Sequence, residues 1–193
     1  MLYKTAHILR DKFPFIWDII DKINSMLFYI RFRKKLLKIN DIINISRYQL
    51  VPISGCSTTE LINFFQNQPA DSYDFFRPHN FDFDTLKKLQ SSKAFLAFVV
   101  KDNESIVGYF FLRSFFYGDT YLGRIVDSKH RGQGIAKLMN NISTEIFVKL
   151  DLRAYQTISP DNIASLKSAE ASNVLVPVKK MHNGDILYET LPK

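Results

Sequence analysis

The sequence predicts an α/β (α+β) fold: a mixed central sheet flanked by helices and preceded by an N-terminal helical extension. Three observations predict it. Apolar runs of strand length face each other across a polar turn in the first half. Strand-like and helix-like segments alternate in the second half. One long helical pattern stands ahead of both. At 193 residues, 46% hydrophobic and 23% charged, the chain can bury about 70% of its unfolded surface and hold a core without disulfides or a metal. That composition excludes a disordered tail, a collagen-like rod and a cysteine-stapled module. Cys56 is the only cysteine, which excludes an internal disulfide and a multi-thiolate zinc cluster. No metal site is expected.

The helical extension, residues 1–45, comes first, and the main domain is expected over 46–193. From residue 11 to 39, Ile16, Ile19, Ile20, Ile23, Met26, Leu27 and Ile30 recur at three- and four-residue steps, and Pro14 suits a first turn. The tract 31–38 adds five basic residues. Residues 1–40 hold nine basic and three acidic groups, +6 of the net +7, so the rest of the chain is nearly neutral. A general nucleic-acid surface on the main domain is therefore not expected. Asp18, Asp21 and Lys22 interrupt the apolar run and exclude both a membrane span and a secretory signal. Two readings of the extension stand side by side. In one it lies on an anionic membrane or a partner; in the other it packs on its own domain or on a second copy, with solvated charges beyond it. The chain reads as cytoplasmic, peripheral at the inner membrane surface if the first reading holds.

The main domain follows in order. Residues 48–53 form a short strand. Ser57-Thr58-Thr59-Glu60 reads as a capping box opening a helix to about residue 68. A loop over 69–80 carries Phe75-Phe76-Arg77-Pro78-His79-Asn80, and 84–90 is a short helix. Residues 94–101 and 105–112 make a hairpin about Asp102-Asn103-Glu104, and 120–126 is a further strand. Residues 134–150 have helical spacing, 153–158 is a strand and 162–172 a helix. Residues 174–178 and 186–191 close the chain as strands about Asn183-Gly184.

The segment Ile125-Val126-Asp127-Ser128-Lys129-His130-Arg131-Gly132-Gln133-Gly134-Ile135-Ala136 carries the chemistry. A strand enters a glycine-bearing turn that opens into an amphipathic helix. Main-chain N–H groups of the turn and of the first helical residues converge on one point and form an anion cradle at the positive end of the helix dipole. Gly132 and Gly134 remove side chains where a phosphate must approach the backbone, Ala136 keeps the next position small, and Arg131 can add a charge-assisted contact. No Gly-Lys-Ser/Thr is present, and two glycines with no acidic residue at the Rossmann distance, where residues 154–156 lie, do not make a dinucleotide fingerprint.

Arg131-x-x-Gly134-x-Ala136, between a strand and a helix, resembles the acyl-CoA signature of the GNAT superfamily of N-acyltransferases. Ser159-Pro160-Asp161-Asn162-Ile163-Ala164-Ser165 looks like its second signature, and the similarity spans residues 48–191. The resemblance implies a mostly antiparallel sheet and acetyl-CoA as cosubstrate, without metal. It places the diphosphate on the backbone of Arg131, Gly132, Gln133, Gly134, Ile135 and Ala136. The pantetheine runs along Val126, Asp127 and Ser128, with Asn162 facing it. Ala169 stands where many members have a tyrosine that protonates the departing thiolate, and Asn173-Val174 replaces a common Gly-Phe.

Transfer to an amine needs orientation, an oxyanion donor near Val126 and a base. His79, in the loop that the resemblance assigns to the acceptor, is the first candidate base. Asp119 and Tyr121 could relay a proton through water. The acceptor is expected to be a small primary amine, and a loose similarity to enzymes of surface-polysaccharide pathways suggests a nucleotide-linked amino sugar. The alternatives are a protein amine, or a CoA-binding or membrane-associated regulatory module without catalysis.

Overall fold

A computed structural model of the chain describes residues 14–42 and 47–193. Helix α1 spans Pro14–Leu36 and runs into a 3-10 turn, Leu37–Ile42. Then follow β1 (Gln49–Pro52), α2 (Thr58–Gln66), α3 (Phe83–Ser91), β2 (Phe95–Asp102), β3 (Ser105–Ser114) and β4 (Asp119–Val126). The second half holds α4 (Ile135–Leu150), β5 (Arg153–Ile158), α5 (Ile163–Glu170), β6 (Asn173–Lys180) and β7 (Ile186–Pro192). The expected order of strands and helices is reproduced throughout the described residues. The expected helical residues 11–13 lie outside them.

One seven-stranded sheet, ordered β1-β2-β3-β4-β5-β7-β6, contains all the strands among the described residues. Only β4 and β5 pair in parallel; every other pair is antiparallel. The parallel pair requires a crossover, which α4 supplies. Each face of the sheet has its own core. Phe98, Phe110 and Leu112 pack on one face with Ile135, Met139 and Ile146 of α4 and with Phe28 and Phe32 of α1. On the other face Val99, Tyr109 and Phe111 pack with Leu61 and Phe65 of α2 and Leu86 of α3. Gly123 makes room for this second core, because a Cβ there would lie 2.4 Å from the Phe111 ring.

Two local expectations change. Ser57 is the N-cap of α2 but its side chain makes no capping bond, and Glu60 reaches Lys101 at 2.6 Å instead of back to the cap. An ion pair to β2 outcompetes the capping box. The α1 stripe also differs from the packing face. Phe28 and Phe32 are buried, whereas Ile16, Ile19, Ile20, Ile23, Met26 and Ile30 are 41–60% exposed. Periodicity finds an apolar face but cannot say which face the domain receives.

Candidate active site

β4 and β5 stay paired only over Asp119–Tyr121 and Arg153–Tyr155, although β4 continues to Val126 and β5 to Ile158. The sheet is therefore split beyond Tyr121. Gly118 O accepts from Arg153 N–H, and Asp119 O accepts from Phe115 N–H, so alternation turns the main-chain groups of Leu122, Arg124 and Val126 toward the split. A ligand lying in the split can pair with those groups as a strand would.

The mouth of the split opens into the cradle. Gly132 has φ +77° and Gly134 φ +81°, and nothing lies within 4 Å of the point where a Cβ would stand on either. Both left-handed conformations favour glycine, and the space before them is open. Gly134 is the N-cap of α4 and provides no side-chain cap. The first intrahelical bond ending at it is Leu138 N–H to Gly134 O, so the N–H groups of Ile135, Ala136 and Lys137 are left for an anion. Ile135 itself is buried and anchors the turn. An anionic diphosphate fits this cradle.

Gln68, unrecognised in the sequence, sets the angle at which the strand enters the turn. Its buried amide donates to Asp127 Oδ1 at 2.9 Å and to Phe64 O, and its Oε1 accepts from Ser128 N–H at 3.0 Å. Asp127 also accepts from Lys129 N–H and faces His130 Nδ1 at 2.6 Å. Partial burial raises the Asp127 pKa, but hydrogen bonds from Gln68, His130 and Lys129 outweigh it and hold the carboxyl below its ordinary value. Of the three residues expected along the pantetheine, Val126 turns its main chain to the split. The N–H of Asp127 is taken by Val107 O and that of Ser128 by Gln68. Arg131 keeps its backbone in the turn while its guanidinium donates to Ser72 at 2.6 Å. Gln133 is exposed in the same turn. Asn162 is the N-cap of α5, with Oδ1 accepting from Ser165 N–H at 3.0 Å.

Arg124 was also missed. Its side chain crosses to Gln156 Oε1 on β5 at 3.0 Å and to Ser165 O and Oγ on α5 at 3.3 Å, with Ser168 Oγ at 3.5 Å. Gln156 is held in turn by Thr190. All four acceptors are neutral, and no carboxylate meets Arg124 among the described residues. Burial pushes its pKa down to about 10, so it remains a cation at neutral pH. A single arginine among Leu122, Ile125 and Val126 was the signal available in the sequence. Ala169, the neighbour of Ser168, is fully buried.

The opposite face of β4 carries His79 and Tyr109. His79 Nδ1 lies 2.7 Å from Asn80 O, which can only accept, so that nitrogen holds the proton and Nε2 accepts from Tyr109 O–H at 3.1 Å. Phe65, Phe81, Phe95 and Phe111 surround the ring. Burial lowers the His79 pKa and raises that of Tyr109, so both are neutral at pH 7. Tyr121 sits at the last paired position, with its ring 5.7 Å from that of Tyr155. Burial first, then Asp119, raises its pKa and keeps it a phenol. Asp119 pairs with Arg153 at 2.7 Å, at the closed end of β4, about 23 Å along the strand from Val126. The structure thus gathers Val126 and residues 131–136 at one mouth, sets Tyr121 at the apex and His79 on the far face, and leaves Asp119 beyond the apex.

The sheet is parted at its one parallel pair among the described residues, with a glycine turn and a bare helix N-terminus at the mouth of the gap. A family model described as the acetyltransferase (GNAT) family matches residues 59–171, and the chain belongs to that family. It is an acetyl-CoA-dependent N-acetyltransferase. Solved structures share the fold. The ribosomal-protein-S5-alanine acetyltransferase of Vibrio fischeri is 21% identical with a TM-score of 0.64, covering 78% of this chain and 96% of that one. The GNAT domain of S. lividans PAT is 12% identical at a TM-score of 0.64, covering 75% and 90%. The spermidine/spermine N-acetyltransferase SpeG of Vibrio cholerae, in mutant form, is 18% identical at 0.57, covering 76% and 93%. No curated protein matches the sequence.

Proposed function

We propose that this chain moves an acetyl group from acetyl-CoA to a small primary amine that approaches on the sheet face opposite α4 and α5. The split between β4 and β5, opening directly into the Gly132–Gly134 cradle, carries this reading. Acetyl-CoA supplies the activated acyl group. The backbone of residues 131–136 holds its diphosphate, and the main-chain groups of Leu122, Arg124 and Val126 align the arm and place an N–H donor at the developing oxyanion, a contact worth about 3 kcal/mol. Nδ1–H of His79 is tied to Asn80 and Nε2 accepts the Tyr109 O–H, so Nε2 takes the proton of the amine, directly or through water, as the Tyr109 hydroxyl turns aside. Arg124 supplies positive charge to the departing sulfur where Ala169 has no hydroxyl to give. Tyr121, with Tyr155 beside it, forms an aromatic shelf at the apex on the acceptor side.

The structural neighbours are named for acceptors that range from a ribosomal protein to spermidine and spermine, so acceptor class is an open variable of this fold. A screen of thiol release from acetyl-CoA against polyamines, aminoglycosides, amino sugars and peptides tests the proposal. At least one class should stimulate release well above the acceptor-free rate. No stimulated release from any class would exclude a small primary amine as the acceptor.

His79 gives a pH prediction. Its folded pKa lies below the ordinary value of about 6.5, so the unfolded chain takes up a proton before the folded one does. Its contribution is present above about pH 6.5 and is lost as the pH falls. His79→Gln should therefore flatten the decline in urea midpoint between about pH 7.5 and 5.5 relative to the parent, while shifting or abolishing the acid limb of kcat/KM. Parallel midpoint curves for the two proteins would remove His79 from the buried, neutral role.

A further inference from the structure

Helix α1 wears its amphipathicity inside out. Toward the domain it presents polar groups around Phe28 and Phe32. Asp18 pairs with Lys88 at 2.6 Å and Asp21 with Arg113 at 3.2 Å. Asn24 bonds Ser114 O and Phe116 N–H, and Ser25 accepts from Lys93 N–H. Away from the domain it presents the aliphatic stripe Ile16, Ile19, Ile20, Ile23, Met26 and Ile30. A helix that only served its own fold would have these faces exchanged. Both acidic residues of the described helix are used up inward. The exposed cations Lys22, Arg33, Lys34 and Lys38 pair with no carboxylate among the described residues.

We propose that α1 seats the protein on an anionic lipid bilayer, with the isoleucine stripe in the acyl boundary and the cations at the headgroups. Aliphatic depth on one face, charge of a single sign and an exposed Tyr29 beside them are the features such a helix needs. A second observation agrees. A cleft of about 470 Å³ between α1 and the β1–β2 edge is lined by Leu36, Pro52 and Phe98 together with Arg33, Lys34 and Lys93, apolar surface beside cations in the size range of a ligand site. A second copy of the chain fits less well, because a two-fold pairing sets stripe against stripe and brings these cations together with no acid on that face to receive them.

The test is sedimentation of the full chain with vesicles. Phosphatidylcholine vesicles containing phosphatidylglycerol should take up the protein at least tenfold better than phosphatidylcholine alone, and added salt should weaken the uptake. Ile19→Ser/Ile23→Ser/Ile30→Ser should cut uptake by about tenfold, with the melting temperature kept, since those side chains are exposed in the fold. Lys22→Glu/Arg33→Glu/Lys34→Glu should abolish the preference for anionic lipid and also keep the fold. Equal uptake on both vesicle types, or none, overturns the proposal. So does a dimer in analytical ultracentrifugation that the isoleucine variant breaks, which would assign the face to a second copy.

Discussion

Gly134→Ala should leave a folded protein that has lost CoA. At φ +81° an alanine is strained by about 1–2 kcal/mol, which lowers Tm by a few degrees in a chain of this size. The binding loss should be larger. The new methyl group enters the open space that the cradle reserves for a phosphate, and relaxation of the strained turn re-aims the N–H groups of Ile135 and Ala136. Two charge-assisted hydrogen bonds to a diphosphate are together worth about 3–6 kcal/mol, so Kd for CoA should rise at least a hundredfold. Gly184→Ala is the matched control. It has φ +92° and equally open surroundings but lies in the β6–β7 turn, so it should cost similar stability and leave CoA affinity unchanged. Calorimetric titration with CoA and thermal melts of both variants decide the matter. Equal affinity in folded Gly134→Ala would mean that the diphosphate sits elsewhere.

Arg124→Met should abolish turnover while sparing donor binding. The substitution keeps length and apolar stem but removes the cation that faces the split from the α5 side. If that cation steadies the departing thiolate, kcat should fall about 10²–10³-fold, with Kd for CoA within about threefold. Stability should change little in either direction. Arginine loses the cost of burial, while Gln156, Ser165 and Ser168 lose a donor worth about 1 kcal/mol each. Arg124→Lys should recover part of the rate, because a point charge returns without the forked geometry. A thioester donor with a more acidic thiol should narrow the gap between parent and Met variant, since its sulfur needs less help. A Met variant with parental kcat on acetyl-CoA would exclude the role.

Much of the candidate site was legible because it is local. The cradle is six consecutive residues, and its glycines, its small residue at 136 and the helical spacing behind it follow from steric rules acting within one turn. Asn162 was likewise placed at the head of its helix, where it now caps Ser165 N–H. What escaped were side chains whose roles are set by residues far along the chain. Gln68 reads as an ordinary polar helix end until Ser128, 60 positions away, donates its N–H to it. Arg124 reads as an exposed charge on a strand until Ser165, 41 positions on, closes over it. The capping box failed for the same reason: Glu60 had a local partner in prospect, and β2 offered Lys101 in its place.

The sequence by itself determined which segments are strands and which are helices, their order, and the glycine-bearing turn that opens into the long helix, since periodicity, glycine freedom and helix termini act over a few residues. Only the tertiary structure decided that β4 and β5 part company beyond Tyr121, that a half-buried cation stands beside the gap, and that α1 turns its isoleucines outward. Those outcomes depend on which surfaces meet across the whole chain, where burial of one face is won against every other candidate, and no short window records that competition.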